Sequence, residues 1–209
     1  KADKWPKDSL AIYFPETNET RKWAKLKSFK VPSEGASVLA YMLEEDKKVE
    51  EKDSTVQKKE EEEPLEEKGE SKPKTKDSKT KKKVYKGSKL TVLDTKTNEE
   101  KIYQDVTEYS FARKGSGMII TSIEEDSINT SRIYFLDTKS GDSVKLWEKN
   151  GVTKKVSSDE KMTQIAFLHS EDTAKTKIYS LYHWTQEMDL PALLVDSLTE
   201  GMPEDYVVS

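Results

Sequence analysis

Cysteine is absent from this 209-residue chain, which excludes disulfides and thiolate metal sites alike. Arginine is nearly absent, with only Arg21, Arg113 and Arg132. The guanidinium is the side chain that grips phosphate or carboxylate at two points, so this scarcity argues against a DNA-binding surface and against a phosphate clamp. The net charge of −4 is of mixed sign outside one segment and offers no basic field for nucleic acid. No apolar run approaches the roughly 18 residues of a membrane-spanning helix. Starting at Lys1 without methionine or signal sequence, the chain reads as a processed or excised piece.

What is present in excess is charge, at 36% against 33% hydrophobic residues, and it is concentrated. From Glu44 to Lys83 the chain holds 14 acidic and 13 basic residues, the acids mostly first and the lysines last. Such a stretch cannot bury enough apolar surface to offset its ordering entropy, and it reads as a disordered insertion over 44–86.

The remaining sequence is dominated by short β-branched and aromatic runs bounded by polar turns: "SLAIYF", "VLAYML", "SKLTVLD", "GMIITSI", "SRIYFLD", "QIAFLHS" and "KIYSLYHW". Helical periodicity is scarce, and Pro64 and Pro191 interrupt the two stretches that could imitate it. The runs repeat. "LDTKTNEEKIY" from Leu93 returns as "LDTKSGDSVKLW" from Leu136, and "FKVPSEGASVLAYMLEED" from Phe29 aligns with "YSFARKGSGMIITSIEED" from Tyr109. A constant offset of 80 places Val31 on Phe111, Gly35 on Gly115, Leu39 on Ile119 and Glu44 on Glu124. A third copy starts at Val156 with one extra residue in its turn. Setting the insertion aside, the period is about forty residues and four strands, the unit of a β-propeller blade, whose sheet needs apolar residues on both faces.

The expected fold is therefore all-β: a partial β-propeller of about three full four-stranded antiparallel blades with partial flanking blades. Residues 1–209 form a single propeller fragment, in which 8–26 are the second half of a blade. Complete blades follow over 27–105 (carrying the insertion), 106–152 and 153–198, and 199–209 start the next.

Phe29, Pro32, Gly35 and "VLAY", echoed by "YSFARKGSG", resemble the F-S-x-D-G-x-x-h-A-Y blade pattern of the prolyl oligopeptidase family of serine peptidases, where h is apolar. The ordered set from "DSLAIYF" to "EGMPEDYVVS" looks like the amino-terminal propeller of large bacterial members, those of Bacteroides-like organisms in particular. Lys114 and Glu160 depart from the pattern, standing where aspartate and glycine are common. The resemblance implies a non-catalytic propeller that gates and scaffolds access to an α/β-hydrolase domain of the same parent chain, absent here, and meets peptide substrates only indirectly. It also implies a periplasmic or secreted protein. By this reading the chain alone is not an enzyme, although its parent is a serine peptidase. The alternative is a stand-alone TolB-like propeller that binds proteins; a carbohydrate-active propeller would need clustered carboxylates, of which the repeat gives no sign.

Candidate chemistry is sparse. Ser116 in "KGSGM" lacks the G-x-S-x-G spacing of a nucleophile elbow. His169 ends one expected strand and His183 follows Tyr182 in the next, so the two could face each other across a hairpin, with structural roles favoured for both. The doublets Glu44–Glu45 and Glu124–Glu125 follow second strands at one repeat position. Paired glutamates bind a substrate amino terminus in dipeptidyl members of the resembled family, but a recurring loop charge is more simply a solvated hairpin end. Trp5, Trp23, Trp147 and Trp184 could line a groove, or fill space between blades. No catalytic residue, metal ligand or cofactor is assigned, and substrate-binding residues are left open.

Overall fold

A computed structural model describes residues 8–34, 37–44, 87–114, 116–125, 128–174, 176–203, 206 and 208. Trp5, Glu45, Gly115 and the charged stretch 45–86 lie outside them. Thirteen strands and no helix occur among the described residues: β1 (Ser9–Phe14), β2 (Glu19–Ala24), β3 (Leu26–Lys30), β4 (Val38–Leu43), β5 (Ser88–Asp94), β6 (Glu100–Phe111), β7 (Gly117–Glu124), β8 (Thr130–Asp137), β9 (Ser143–Asn150), β10 (Val152–Ser158), β11 (Gln164–Ser170), β12 (Ser180–Thr185) and β13 (Ala192–Val195). All pairings of these strands are antiparallel between sequence neighbours, and one isolated antiparallel bridge joins Tyr179 to Val208.

The molecule is a partial β-propeller. β1 and β2 form half a blade; β3, β4, β5 and the first half of β6 make the first complete blade; the second half of β6 with β7, β8 and β9 makes the next; β10–β13 make the third. Strand alternation sends neighbouring side chains into different seams. Along β4, Leu39 and Tyr41 join Leu10 and Leu93 in a buried cluster against the half blade. Val38, Ala40 and Met42 face the other way and meet Met118, Ile120 and Tyr109 of the following blade. Along β7, Met118 and Ile120 face back while Ile119 faces forward, onto Ile165 and Phe167. This two-sided burial explains why the strands read as unbroken apolar runs instead of alternating ones.

The hydrogen-bond ladder is not cut at every blade. It runs through seven strands from β3 to β9, because the 12-residue β6 both closes one blade and opens the next. Val106 is the pivot, in register with Ser88 on one side and Ser122 on the other. The chain turns just before it, at Asp105, with φ of 53°. Lys25 (φ 61°) and Gly151 (φ 116°) occupy the same crossing in the blades before and after. Left-handed backbone is thus the corner of the repeat, and only one corner uses glycine.

The repeated "LDT" is a second corner. Asp94 Oδ1 accepts from the amides of Lys96 (2.8 Å) and Thr97 (3.3 Å). Asp137 Oδ1 accepts from Lys139 (2.8 Å) and Ser140 (3.3 Å). Each following threonine donates its hydroxyl to the hairpin before it, Thr95 to Ser37 O and Thr138 to Ser116 O, both at 2.8 Å. Aspartate self-bonding of this kind fixes a turn before the next strand starts.

The constant offset expected from sequence fails inside one turn. Ser37 and Ser116 make the same bonds, Val38 pairs with Asp94 as Gly117 pairs with Asp137, and Phe29 pairs with Tyr41 as Tyr109 pairs with Ile120. Leu39 therefore corresponds to Met118, not Ile119, because the first hairpin is one residue longer. A slip of one residue exchanges the two faces of a strand. It also removes the match between Glu44 and Glu124.

Candidate functional site

Polar and aromatic side chains converge most densely where the second complete blade meets the third. Trp147 on the outer strand β9 leans on Tyr182 with its ring tilted (centroids 4.5 Å, planes at 58°) and meets Phe167 edge-on (5.0 Å). Phe167 and Tyr182 are themselves parallel. The Lys149 ammonium lies over both Trp147 (4.7 Å) and Tyr182 (5.5 Å), closing the cluster with a cation on the ring faces. Trp147 Nε1 is buried without a hydrogen-bond partner.

His169 completes the cluster, edge-on to Trp147 at 5.1 Å and almost fully buried. A carbonyl only accepts, so Nε2–H donates to Asn150 O (3.0 Å) and Nδ1 accepts from the Thr153 hydroxyl (3.0 Å). Burial pushes the imidazole below its ordinary value of 6.5, against the opposing pull of the Asn150 carbonyl and Glu171. The neutral ring thus bolts the end of one blade to the start of the next around Gly151. Ser131 braces the same corner, donating to Gly151 O (2.8 Å) and accepting from Thr153 N (3.0 Å).

The aromatic position on the outer strand recurs. Trp23, Tyr103 and Trp147 stand opposite Leu10, Leu90 and Ile133 respectively. Each rests on an aromatic ring of the following blade: Tyr41 at 5.3 Å, Tyr134 at 5.6 Å, Tyr182 at 4.5 Å. The described tryptophans fill space between blades, Trp184 also bonding Met188 O through Nε1 at 2.8 Å. Sequence reasoning missed the shared position because bulges shift the numbering; an aromatic two residues after a basic one in each outer strand, at Arg21, Lys101 and Lys145, was the available signal.

The other candidates disperse. His169 pairs with Ser180 and His183 with Ala166, so the two histidines lie on opposite faces of the hairpin and do not meet. His183 instead approaches Gln164 Oε1 at 3.3 Å beside a shallow groove of about 230 Å³. Glu124 is bound to Arg132 (2.7 Å), which also holds Glu148 (2.6 Å). Those two hydrogen bonds, Glu148 first, raise the guanidinium above its ordinary range. Ser116 Oγ donates to Asp137 Oδ2 at 3.3 Å, tying the turn before β7 to the end of β8. Among the described residues no three histidine, aspartate or glutamate side chains converge as metal ligands do, and no helix is long and apolar enough to cross a membrane.

No family model matches the chain, and no curated protein does. Solved structures do match. The β-propeller domain of the Trilobed protease from Pyrococcus furiosus, which has an open velcro topology, superposes with a TM-score of 0.50 at 13% identity over 93% of this chain and 51% of that one. An acylaminoacyl peptidase from Pyrococcus horikoshii follows, with a TM-score of 0.47, 11% identity, 90% of this chain and 28% of that chain. The same values hold for an acylaminoacyl peptidase in complex with Z-Gly-Gly-Phe-chloromethyl ketone. The chain thus spans about half of the first propeller and has its fold.

Proposed function

We propose that these blades are the non-catalytic propeller region of a serine peptidase of the prolyl oligopeptidase type, gating and scaffolding an α/β-hydrolase domain outside this sequence. The observation that carries the reading is the blade repeat built on the "VLAY" and "YSFARKGSG" pattern, in a fold shared with the propeller domain of a protease. Fold likeness alone is an associational warrant, and the blade pattern adds the family direction. A bacterial source of the Bacteroides-like kind and a periplasmic or secreted location belong to the same reading.

In that role the seams do the work. A gate must keep its shape while substrate passes, and aromatic rings locked between neighbouring sheets supply large buried contact at little cost in rotamer freedom. The test is removal of residues 8–209 from the parent peptidase. Short chromogenic substrates should still be cleaved, and long peptides that the intact protein excludes should become substrates. The isolated chain should resist labelling by a serine-hydrolase probe. Labelling of the isolated chain, or an unchanged length limit, would contradict this reading.

A further inference from the structure

One strand lacks what its repeats possess. β5, β8 and β12, the third strands of the complete blades, are hydrogen-bonded on both edges. β1 is their counterpart, and among the described residues it pairs only with β2. Its other edge borders a groove of about 420 Å³, lined by Leu10–Tyr13 on one side and by Phe29, Val31, Pro32 and Leu39 on the other.

Equivalent residues elsewhere tell what such a groove is shaped to receive. Phe29 corresponds to Tyr109, which pairs with its second strand in the same way. Tyr109 is 4% exposed beneath Val38, Ala40 and Met42 of the preceding blade, whereas Phe29 is 53% exposed. Tyr13 corresponds to Leu93 in the third strand, and their exposures are 57% and 0%. The groove also continues an existing interface, since Leu10 and Leu39 belong both to its wall and to the buried cluster between the half blade and the first complete blade.

We infer that the β1 groove is the seat of a β-hairpin of the propeller-repeat kind. Its second strand adds antiparallel to the free edge of β1, and its two strands together cover Phe29, as Val38, Ala40 and Met42 of β4 and Ser28 and Lys30 of β3 cover Tyr109. Backbone hydrogen bonds along the edge supply affinity, and alternate aliphatic side chains like those of Val38, Ala40 and Met42 supply fit. An edge left open with apolar residues beside it otherwise invites unspecific pairing. The inference stands apart from the peptidase reading, because it uses only the internal repeat.

The experiment fuses a second copy of residues 26–43, through a short flexible linker, ahead of Asp8 of the full chain. Amide exchange is then compared with that of the unfused chain and of a control fusion whose added copy carries Val38→Lys, Ala40→Lys and Met42→Lys. Alternate amides of Leu10–Tyr13 should slow by about tenfold or more in the first fusion and not in the control. Its melting temperature should rise as well. Equal exchange in both fusions would overturn the inference. So would β1 amides in the unfused chain already as slow as those of β5, or a dimer of the unfused chain that protects β1, because the seat would then be filled without an added hairpin or by a second copy.

Discussion

The seam between the first two complete blades is mostly aliphatic, while the next is aromatic and encloses a histidine. In the first, Val38, Ala40, Met42, Leu90 and Val92 meet Met118, Ile120 and Leu136. Tyr109 is its buried polar member, sharing a hydrogen bond with Ser28 (3.0 Å) and accepting one at its carbonyl from Lys30 Nζ (2.6 Å), while Tyr103 and Tyr134 meet at its half-buried margin. In the second, Phe167 stands where Ile120 does and Trp184 where Leu136 does, joined by Trp147, Tyr182 and His169 and packed on Ile119, Ile133, Met162 and Ile165. The backbone devices are shared by both: left-handed corners at Asp105 and Gly151, and aspartate turns at Asp94 and Asp137. Turn geometry is the conserved half of this repeat, and seam chemistry is the part that drifts. Backbone angles and turn hydrogen bonds hold the corner whichever residue fills it, whereas side chains of suitable total volume can be exchanged in drying a pair of sheets.

The largest expected difference comes from deleting core volume. Phe167→Ala should cost about 3–5 kcal/mol and Leu90→Ala about 2–5 kcal/mol in urea unfolding. A loss below about 1 kcal/mol for Phe167→Ala would mean that the aromatic seam is not packed as described.

Corners should separate next. A Cβ on residue 151 would meet Ser170 O at 2.1 Å, and the φ of 116° disfavours any side chain. Gly151→Ala should therefore destabilise by more than about 1 kcal/mol, while Lys25→Gly and Asp105→Gly stay within about that amount. Equal costs at the three sites would show that the corners are not equivalent in geometry.

Acidification should then act on one seam first. The folded pKa of His169 lies below the unfolded value of about 6.5, so its contribution is complete above that pH and is lost as pH falls through the folded value. Charging Nδ1 removes its acceptor role toward Thr153, and the ring remains enclosed by Trp147 and Tyr182 with Lys149 and Glu171 nearby. Melting temperature and Trp147 fluorescence should both decline below pH 6.5, and His169→Gln should flatten that part of the profile. A profile unchanged by the substitution would show that His169 does not carry this loss, because carboxylates such as Asp159 lose their contribution only at more acidic pH. The Gln164 amide, against a smaller desolvation penalty, holds that carboxyl below its ordinary value.

The smallest effects belong to turns and struts. Asp94→Ala and Asp137→Ala should each cost about 1 kcal/mol, and by similar amounts if the two turns are equivalent. Arg21 reaches Asn98 of the following blade at 2.6 Å, and Lys101 reaches Gly141 O one blade on. Removing either exposed strut should change stability by less than about 1 kcal/mol.

Much of this fold was legible. "VLAYML" and "GMIITSI" announce strands buried on both faces, and the two "LDT" turns announce their repeat. What escaped has physical causes. The similarity of "VLAYMLEED" and "MIITSIEED" favoured a constant offset, but register is set by the turns, and "VPSEGAS" carries one residue more than "FARKGS". Corners at Lys25 and Asp105 left no trace because neither residue is glycine. The histidines were placed on one hairpin correctly and given the wrong faces, since a three-residue difference in register reverses side-chain direction. His169 in particular could not be distinguished from a ligand or a surface residue until Asn150, Thr153 and Trp147 were seen around it.

Blades that stack face to face bring together rings that no pair of adjacent strands would. The direct measurement is the set of aromatic nuclear Overhauser contacts in the full chain. Cross-peaks from Trp147 to Phe167 and Tyr182, from Tyr103 to Tyr134 and from Trp23 to Tyr41 are the predicted result. Contacts from Trp147 confined to its ladder neighbour Ile133 and to residues of its own sheet would contradict the stacked-blade account.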